Sequence, residues 1–358
     1  MTRPTFPPLD PAPERILIVR PSALGDVCRS VPVLASLRRA YPAARIDWLV
    51  NDAFREAIAA HPMLDAVVDF PRKRLGRELR ALRLAGPLAF ARDLRAPRYD
   101  LVIDAQGLLR SALCARLTGA RTRVGERSAP EGASLLYNRR AQVPREMHAV
   151  DRMLELVRTI GVEPVRDLRL YTSPGDRAWL DGVPALAGRR YAVLAPTSVW
   201  PAKRWAIDRY AGLAQRLLDR GDAEAIAVVG GPSEREQCGA LVALAERDGR
   251  VADLVGKTTV GRLMAVIERA SLVVANDSAA LHMAVGFRRP YVAIFGPTSI
   301  ERVGPASHAA PGPDRAHVLQ HLEPGDTLDH KHDANARITA RVTPDEVLAA
   351  ARECQMRP

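Results

Sequence analysis

A chain of 358 residues exceeds the length at which a single hydrophobic core stops growing, so two domains are expected. With 47% hydrophobic and 26% charged residues the composition is that of an ordinary globular protein; no apolar run is long enough for a spanning helix or a secretion signal. The net charge of +11 is uneven: residues 1–150 hold 25 Lys/Arg against 15 Asp/Glu, a net +10, whereas residues 151–358 hold 27 against 26. Such one-sidedness points to a polyanionic partner for the first half, whether nucleic acid, an acidic membrane surface or an anionic glycolipid.

In chain order, residues 1–14 read as a flexible, proline-rich tail. Strands are expected at 16–19, 46–50, 66–70, 101–104 and 121–124, alternating with helices at 25–40, 53–60, 75–95, 108–118 and 148–160. The irregular stretch 173–190 reads as an interdomain linker. The pattern then restarts, with strands at 191–195, 225–229, 272–275 and 291–295 and helices at 207–220 and 233–246, the latter capped by Ser233 with Glu236 three residues on. Residues 304–333 read as a loop, and a last helix starts at Thr343-Pro344. The reading is α/β: two doubly wound halves at 15–172 and 191–335, a ligand cleft between them, and a closing helix within 336–358 that packs back on the first domain.

The turn after the first strand places Asp26 at a helix start, as a cap, an ion-pair member or a base. Polar groups at Ser22 and at Asp104 to Leu108, including Gln106, follow strand ends on the same half. In the second half, Thr197 and Ser198 with Lys203 and Arg204 combine hydroxyls and cations suited to diphosphate oxygens. Asp277 and Ser278 end another strand, with His282 one helical turn later, and Glu234 follows a Gly-Gly-Pro turn where it suits a ribose hydroxyl pair or simply a helix dipole. The segment 72–83 is an amphipathic helix with Arg77, Arg80 and Arg83 in one stripe, facing water, an anionic acceptor or a membrane surface. His321, His330 and His332 with Asp326, Asp329 and Asp333 match no standard zinc spacing and read as a solvated loop, so no metal is expected. Cys28, Cys114, Cys238 and Cys354 are scattered and fit free thiols of a reducing cytoplasm. No G-x-G-x-x-G, P-loop or G-x-S-x-G motif appears at the expected places.

Taken in order, Ser22 to Asp26, Asp104 to Leu108, Leu136 to Arg139, Pro201 to Trp205, Asp277-Ser278 with His282, and Phe295 to Thr298 resemble the bacterial heptosyltransferases that build the inner core of lipopolysaccharide. The resemblance spans roughly residues 15–352. It implies the GT-B fold of glycosyltransferase family 9 and inverting transfer of heptose from ADP-heptose to a lipid-linked core sugar, with no cofactor and no metal. The first-half motifs look more like type I enzymes, which act on the Kdo region of the lipid A acceptor; Pro201 to Trp205 is also familiar from type II. Residue by residue, it implies Asp26 as general base, Thr197, Ser198, Lys203, Glu234, Asp277, Ser278 and His282 as donor contacts, and Ser22, Arg77, Arg80, Gln106 and Arg139 as acceptor contacts. Ala279 stands where the family usually has Gly, which narrows the approach of backbone to diphosphate. The expected partners are a nucleotide sugar and an anionic glycolipid, without nucleic acid, for a cytoplasmic protein peripheral to the inner membrane. The near alternative is a related transferase using another sugar nucleotide or a different acceptor, including a protein; the rival from another class is a non-catalytic nucleotide-sugar or polyanion binder.

Overall fold

The computed structural model describes residues 6–305 and 316–356. Residues 1–5 of the expected tail, 306–315 of the expected loop and 357–358 of the closing segment lie outside the described residues. Contacts divide the chain into a first unit, 1–171, and a second, 172–358.

The first unit is a parallel sheet of β1 (Arg15–Val19), β2 (Arg45–Asn51), β3 (Ala66–Phe70), β4 (Leu101–Asp104), β5 (Thr122–Glu126) and β6 (Arg139–Ala141), in the order β3-β2-β1-β4-β5-β6. Strands such as β1 and β4 are nearly continuous apolar runs because helices cover both their faces, and Ile16 to Val19 and Leu101 to Ile103 are fully buried. The second unit repeats this with β7 (Tyr191–Ala195), β8 (Ala225–Val228), β9 (Val251–Asp253), β10 (Leu272–Asn276), β11 (Tyr291–Ile294) and β12 (Ala316–Leu319), ordered β12-β11-β10-β7-β8-β9. In each sheet the winding reverses between the first and fourth strands of that sheet. The register pairs Val19 with Asp104 in one and Ala195 with Ala275 in the other. Ligands of open α/β sheets bind at that switch point, off the carboxyl ends of the strands.

The structure differs from the sequence expectations where local chemistry interrupts a pattern. The helix expected at 25–40 is two, Leu24–Arg29 and Val31–Ala40. Pro32 has no N–H to continue the ladder, and the Ser30 hydroxyl donates to the Asp26 carbonyl at 2.6 Å. The helix expected at 75–95 is Arg72–Arg80 and Ala85–Arg95, interrupted at Leu82 with φ 54°. The cap placed on Ser233 with Glu236 lies two residues earlier: Glu234 accepts from the Gly231 N–H at 2.7 Å, starting a 3₁₀ turn before helix Gly239–Arg247. Strands β6, β9 and β12, short and outermost or next to outermost, have too little apolar pattern to be seen in sequence.

Two segments between and after the sheets have partners of their own. The expected linker contains helix Pro174–Asp181, capped by Ser173 and joined by Arg177 to Glu268 (2.7 and 2.8 Å), so it is part of the second unit. In the closing helix Pro344–Met356, Val347, Leu348, Ala351 and Cys354 are buried in the second unit's own core. Gly296, after β11, shows how tight that core is, since a Cβ there would lie 2.1 Å from the Thr339 hydroxyl and 2.7 Å from the Ala202 carbonyl.

Candidate functional site

In the first unit, Asp26 is both a cap and an ion-pair partner. It occupies the first turn of Leu24–Arg29 and accepts from the Ala23 N–H at 3.3 Å. Arg20, directly after β1, lies 2.8 Å from its Oδ2, and Arg29 pairs with its Oδ1. The Arg20 guanidinium is buried, which pushes it below its ordinary pKa against the pull of Asp26, and it also donates to the Ala105 carbonyl. Gln106 accepts from the Ser22 N–H at 3.1 Å and so ties the turn after β4 to the turn after β1. The switch point thus gathers Ser22, Asp26 and Gln106, as the sequence suggests.

Asp104 beneath them is a scaffold. Its carboxylate is buried and accepts from Tyr137 OH at 2.7 Å and from the Gln106 and Gly107 N–H groups at 2.9 and 3.1 Å. Burial pushes its pKa up, and these donors oppose the rise. Gly107 takes φ +71°, a left-handed turn that a side chain would strain. Beside this turn is a cavity of about 230 Å³ lined by Arg20, Gln106, Glu126, Arg152 and Met153, with Arg152 paired to Glu126.

Two groups of expected acceptor residues are not brought to Asp26. Arg77 and Arg80 are exposed on the helix after β3, two strands from β1. Arg139 starts edge strand β6 and lines a different cavity of about 390 Å³ with Glu14, Asp100 and Arg121, at the amino ends of β1, β4 and β5. Its motif resembles the family's, but the chain direction of β6 turns it to the other end of the sheet.

In the second unit, several of the residues expected as donor contacts lie at the switch point. Lys203 Nζ lies 2.6 Å from Asp277 Oδ2, with the side chains only 13% and 7% exposed. Thr197 and Ser198 are buried beside them, and the Arg204 guanidinium donates to the Ser198 carbonyl at 2.8 Å. Asn276 fixes the arrangement: it is fully buried, donates to the Pro196 carbonyl at 2.6 Å, and accepts from Tyr210 OH at 3.1 Å and the Trp205 N–H at 3.3 Å. Ser278 is the N-cap of helix Ala279–Gly286 without a side-chain cap bond, and His282 is half-buried in the next turn. Glu234, by contrast, is engaged in capping Gly231.

Sequence reasoning missed three participants. Arg20 and Arg29 flank Asp26; the i, i+3 spacing of Asp26 and Arg29 was the available signal. His330 belongs to the stretch read as a solvated loop, yet it packs edge-on against Trp200 at 5.0 Å, and burial and the nearby Lys203 push its pKa down. Elsewhere in that stretch Asp326 pairs with Arg337 and Arg341, which hold its carboxyl well below the usual range, and His321 faces Glu346 at 2.9 Å. Among the described residues no three His, Cys, Asp or Glu side chains form a metal-binding group.

Two sheets of Rossmann order, with a carboxylate at one switch point and buried hydroxyls and an ammonium at the other, define an α/β enzyme of the GT-B glycosyltransferase type. The profile of glycosyltransferase family 9 (heptosyltransferase) matches residues 88–321. Lipopolysaccharide heptosyltransferase 1 of Pseudomonas aeruginosa is 33% identical over 292 residues, 80% of this chain and 79% of that protein. Lipopolysaccharide heptosyltransferase 2 of Escherichia coli is 26% identical over 94% of this chain and 98% of its own. The structure of E. coli heptosyltransferase WaaC with ADP superposes with a TM-score of 0.74 at 28% identity, covering 95% of this chain and 99% of that one. The chain belongs to glycosyltransferase family 9, the heptosyltransferase family, and is a glycosyltransferase.

Proposed function

We propose that this enzyme is an inverting heptosyltransferase of type I, moving L-glycero-D-manno-heptose from ADP-heptose to the Kdo region of a lipid A acceptor at the cytoplasmic face of the inner membrane. The observation that carries the reading is the 33% identity to a lipopolysaccharide heptosyltransferase 1 across four-fifths of the chain. The buried Lys203–Asp277 pair beside Thr197 and Ser198 supports the donor side. Lys203, the hydroxyls and the amides that open helix Ala279–Gly286 would receive the charge that the departing ADP gains, without a metal bridge. Asp277 then serves twice, orienting Lys203 and accepting from a sugar hydroxyl, while His282 and Ser278 border the same end of β10.

On the acceptor side, Asp26 takes the proton of the attacking hydroxyl as its oxygen bonds to the anomeric carbon and the carbon–diphosphate bond breaks, through an oxocarbenium-like state. Arg20 and Arg29 hold that carboxylate. The carboxylates and phosphates of an anionic acceptor compete for these guanidinia, so acceptor binding and presentation of Asp26 to the hydroxyl are coupled. A type II acceptor is the second reading, favoured by the 94% coverage of the match to heptosyltransferase 2.

The test is product formation from ADP-heptose with Kdo–lipid A or its heptosylated form, with and without a chelator. The type I reading expects product on Kdo–lipid A, undiminished by chelation. Asp26→Asn is expected to lose turnover on the order of 10²- to 10⁴-fold while still gaining thermal stability from ADP. Product on the heptosylated acceptor alone overturns type I, and full activity of Asp26→Asn removes it as base.

A further inference from the structure

In the first unit, helices Arg72–Arg80, Ala85–Arg95 and Leu109–Leu117 pack side by side over one face of the sheet. They are anchored by Leu75, Leu94, Cys114 and Ala115. Their outer sides ought to be polar. Instead Leu79, Leu82, Leu84 and Leu88 are 51, 86, 56 and 65% exposed around the turn between the first two helices. Leu109, Leu113 and Leu117, also exposed, form a second apolar row at i, i+4, i+8 on the third helix, which packs against the second. Isolated exposed leucines need no explanation, but seven on adjoining helices make a patch.

Two local features keep this surface apolar and cationic. Segment 72–83 has six Lys/Arg and a single acid, Glu78. Glu78 is turned inward toward Gly86, where a Cβ would meet its Oε2, and it lies 3.9 Å from Arg74, so one acid offsets one of the six cations. Leu82, the most exposed leucine, sits with φ 54° where a helix-ending Schellman turn ordinarily has Gly: the Arg83 N–H bonds the Glu78 carbonyl at 2.9 Å and the Leu82 N–H the Leu79 carbonyl at 3.0 Å. The fold therefore holds a large apolar side chain outward at a position where it is conformationally costly.

We propose that this face is a docking surface for an anionic phospholipid bilayer, with the leucines entering the headgroup–acyl boundary and Arg72, Lys73, Arg74, Arg80 and Arg83 meeting lipid phosphates. Charge complementarity selects the occupant: leucines rimmed by a net excess of cations match the interface of an acidic membrane. Among the described residues no helix is long and apolar enough to cross a membrane, so the contact is peripheral. The assignment places Arg80 with lipid rather than with the acceptor sugar.

The test is flotation of the full-length protein with phosphatidylethanolamine vesicles made with or without phosphatidylglycerol, in the absence of donor and acceptor, so that its outcome is separate from the transferase reading. The wild type is expected to float only with the anionic vesicles and to be released by salt. Leu82→Gly relieves the left-handed strain, so its melting temperature should hold or rise while vesicle binding falls on the order of tenfold. Leu84→Ser with Leu88→Ser should reduce binding likewise, and Lys73→Gln with Arg74→Gln should flatten its salt dependence. Absence of wild-type binding, or binding unchanged in the leucine variants, overturns the proposal. So does a dimer in solution that the leucine variants dissociate, since the face would then be a contact between copies.

Discussion

At Asp26 one carboxylate caps a helix, pairs with Arg20 and Arg29, and stands at the switch point where the proposed mechanism needs a base. These uses are compatible because the cap and the ion pairs fix the direction of the side chain, which a base needs as much as basicity. A different residue couples the first unit's stability to pH. His61 is buried, edge-on to Tyr171 at 4.8 Å, and accepts from the Met63 N–H at 3.2 Å, and burial pushes its pKa down to about 4. Folded, the imidazole stays neutral until about pH 4, whereas the unfolded chain takes up its proton near 6.5. Its contribution is therefore complete above 6.5 and lost as pH falls toward 4, by about 3 kcal/mol. Unfolding free energies from urea titrations at neutral pH and near about pH 4.5 should differ less in His61→Gln than in the wild type, by roughly that amount.

At the scale of elements, both candidate sites depend on side chains that join strand ends. Gln106 ties the turns after β1 and β4, and Asn276 ties the ends of β7 and β10 to the segment bearing Lys203. Asn276→Ala removes a buried donor to Pro196 and the acceptor for Tyr210 OH and the Trp205 N–H. It should cost roughly 3 kcal/mol of stability. Because the Lys203 segment loses its anchor, the KM for the nucleotide sugar should rise as well; unchanged donor affinity in a destabilised variant would show that the segment is held by other contacts. These ties were hard to see in sequence. The strands were legible as apolar runs, but an asparagine at a strand end reads equally as cap, turn or tie, and its three partners are 66 to 80 residues away.

At the scale of the whole molecule, each unit has its own sheet and buried core, and the second unit's core includes the closing helix through Val347, Leu348 and Cys354. A fragment spanning 172–358 should accordingly unfold cooperatively and gain melting temperature from ADP. A fragment ending at 340, without that helix, should not fold, and an equally stable shorter fragment would contradict the packing. The charge imbalance also belongs to this scale. The +10 of residues 1–150 lies on the unit that bears Asp26 and the leucine-and-arginine face, whereas the second unit confines its key cation, Lys203, to a buried pair.

Sequence alone determined the doubly wound class, because helix and strand periods and long apolar runs are local properties of the chain. The order of motifs likewise pointed to Thr197, Ser198, Lys203 and Asp277 as proposed donor contacts, in the segments that follow the legible strands β7 and β10. Tertiary structure alone decided which of the proposed residues meet. It gathered Ser22, Asp26 and Gln106, surrounded Asp26 with Arg20 and Arg29, set His330 against Trp200, and turned Arg139 to the opposite end of its sheet. Periodicity tells which side of an element is buried; partners far apart in the chain meet only once strand order and register are set.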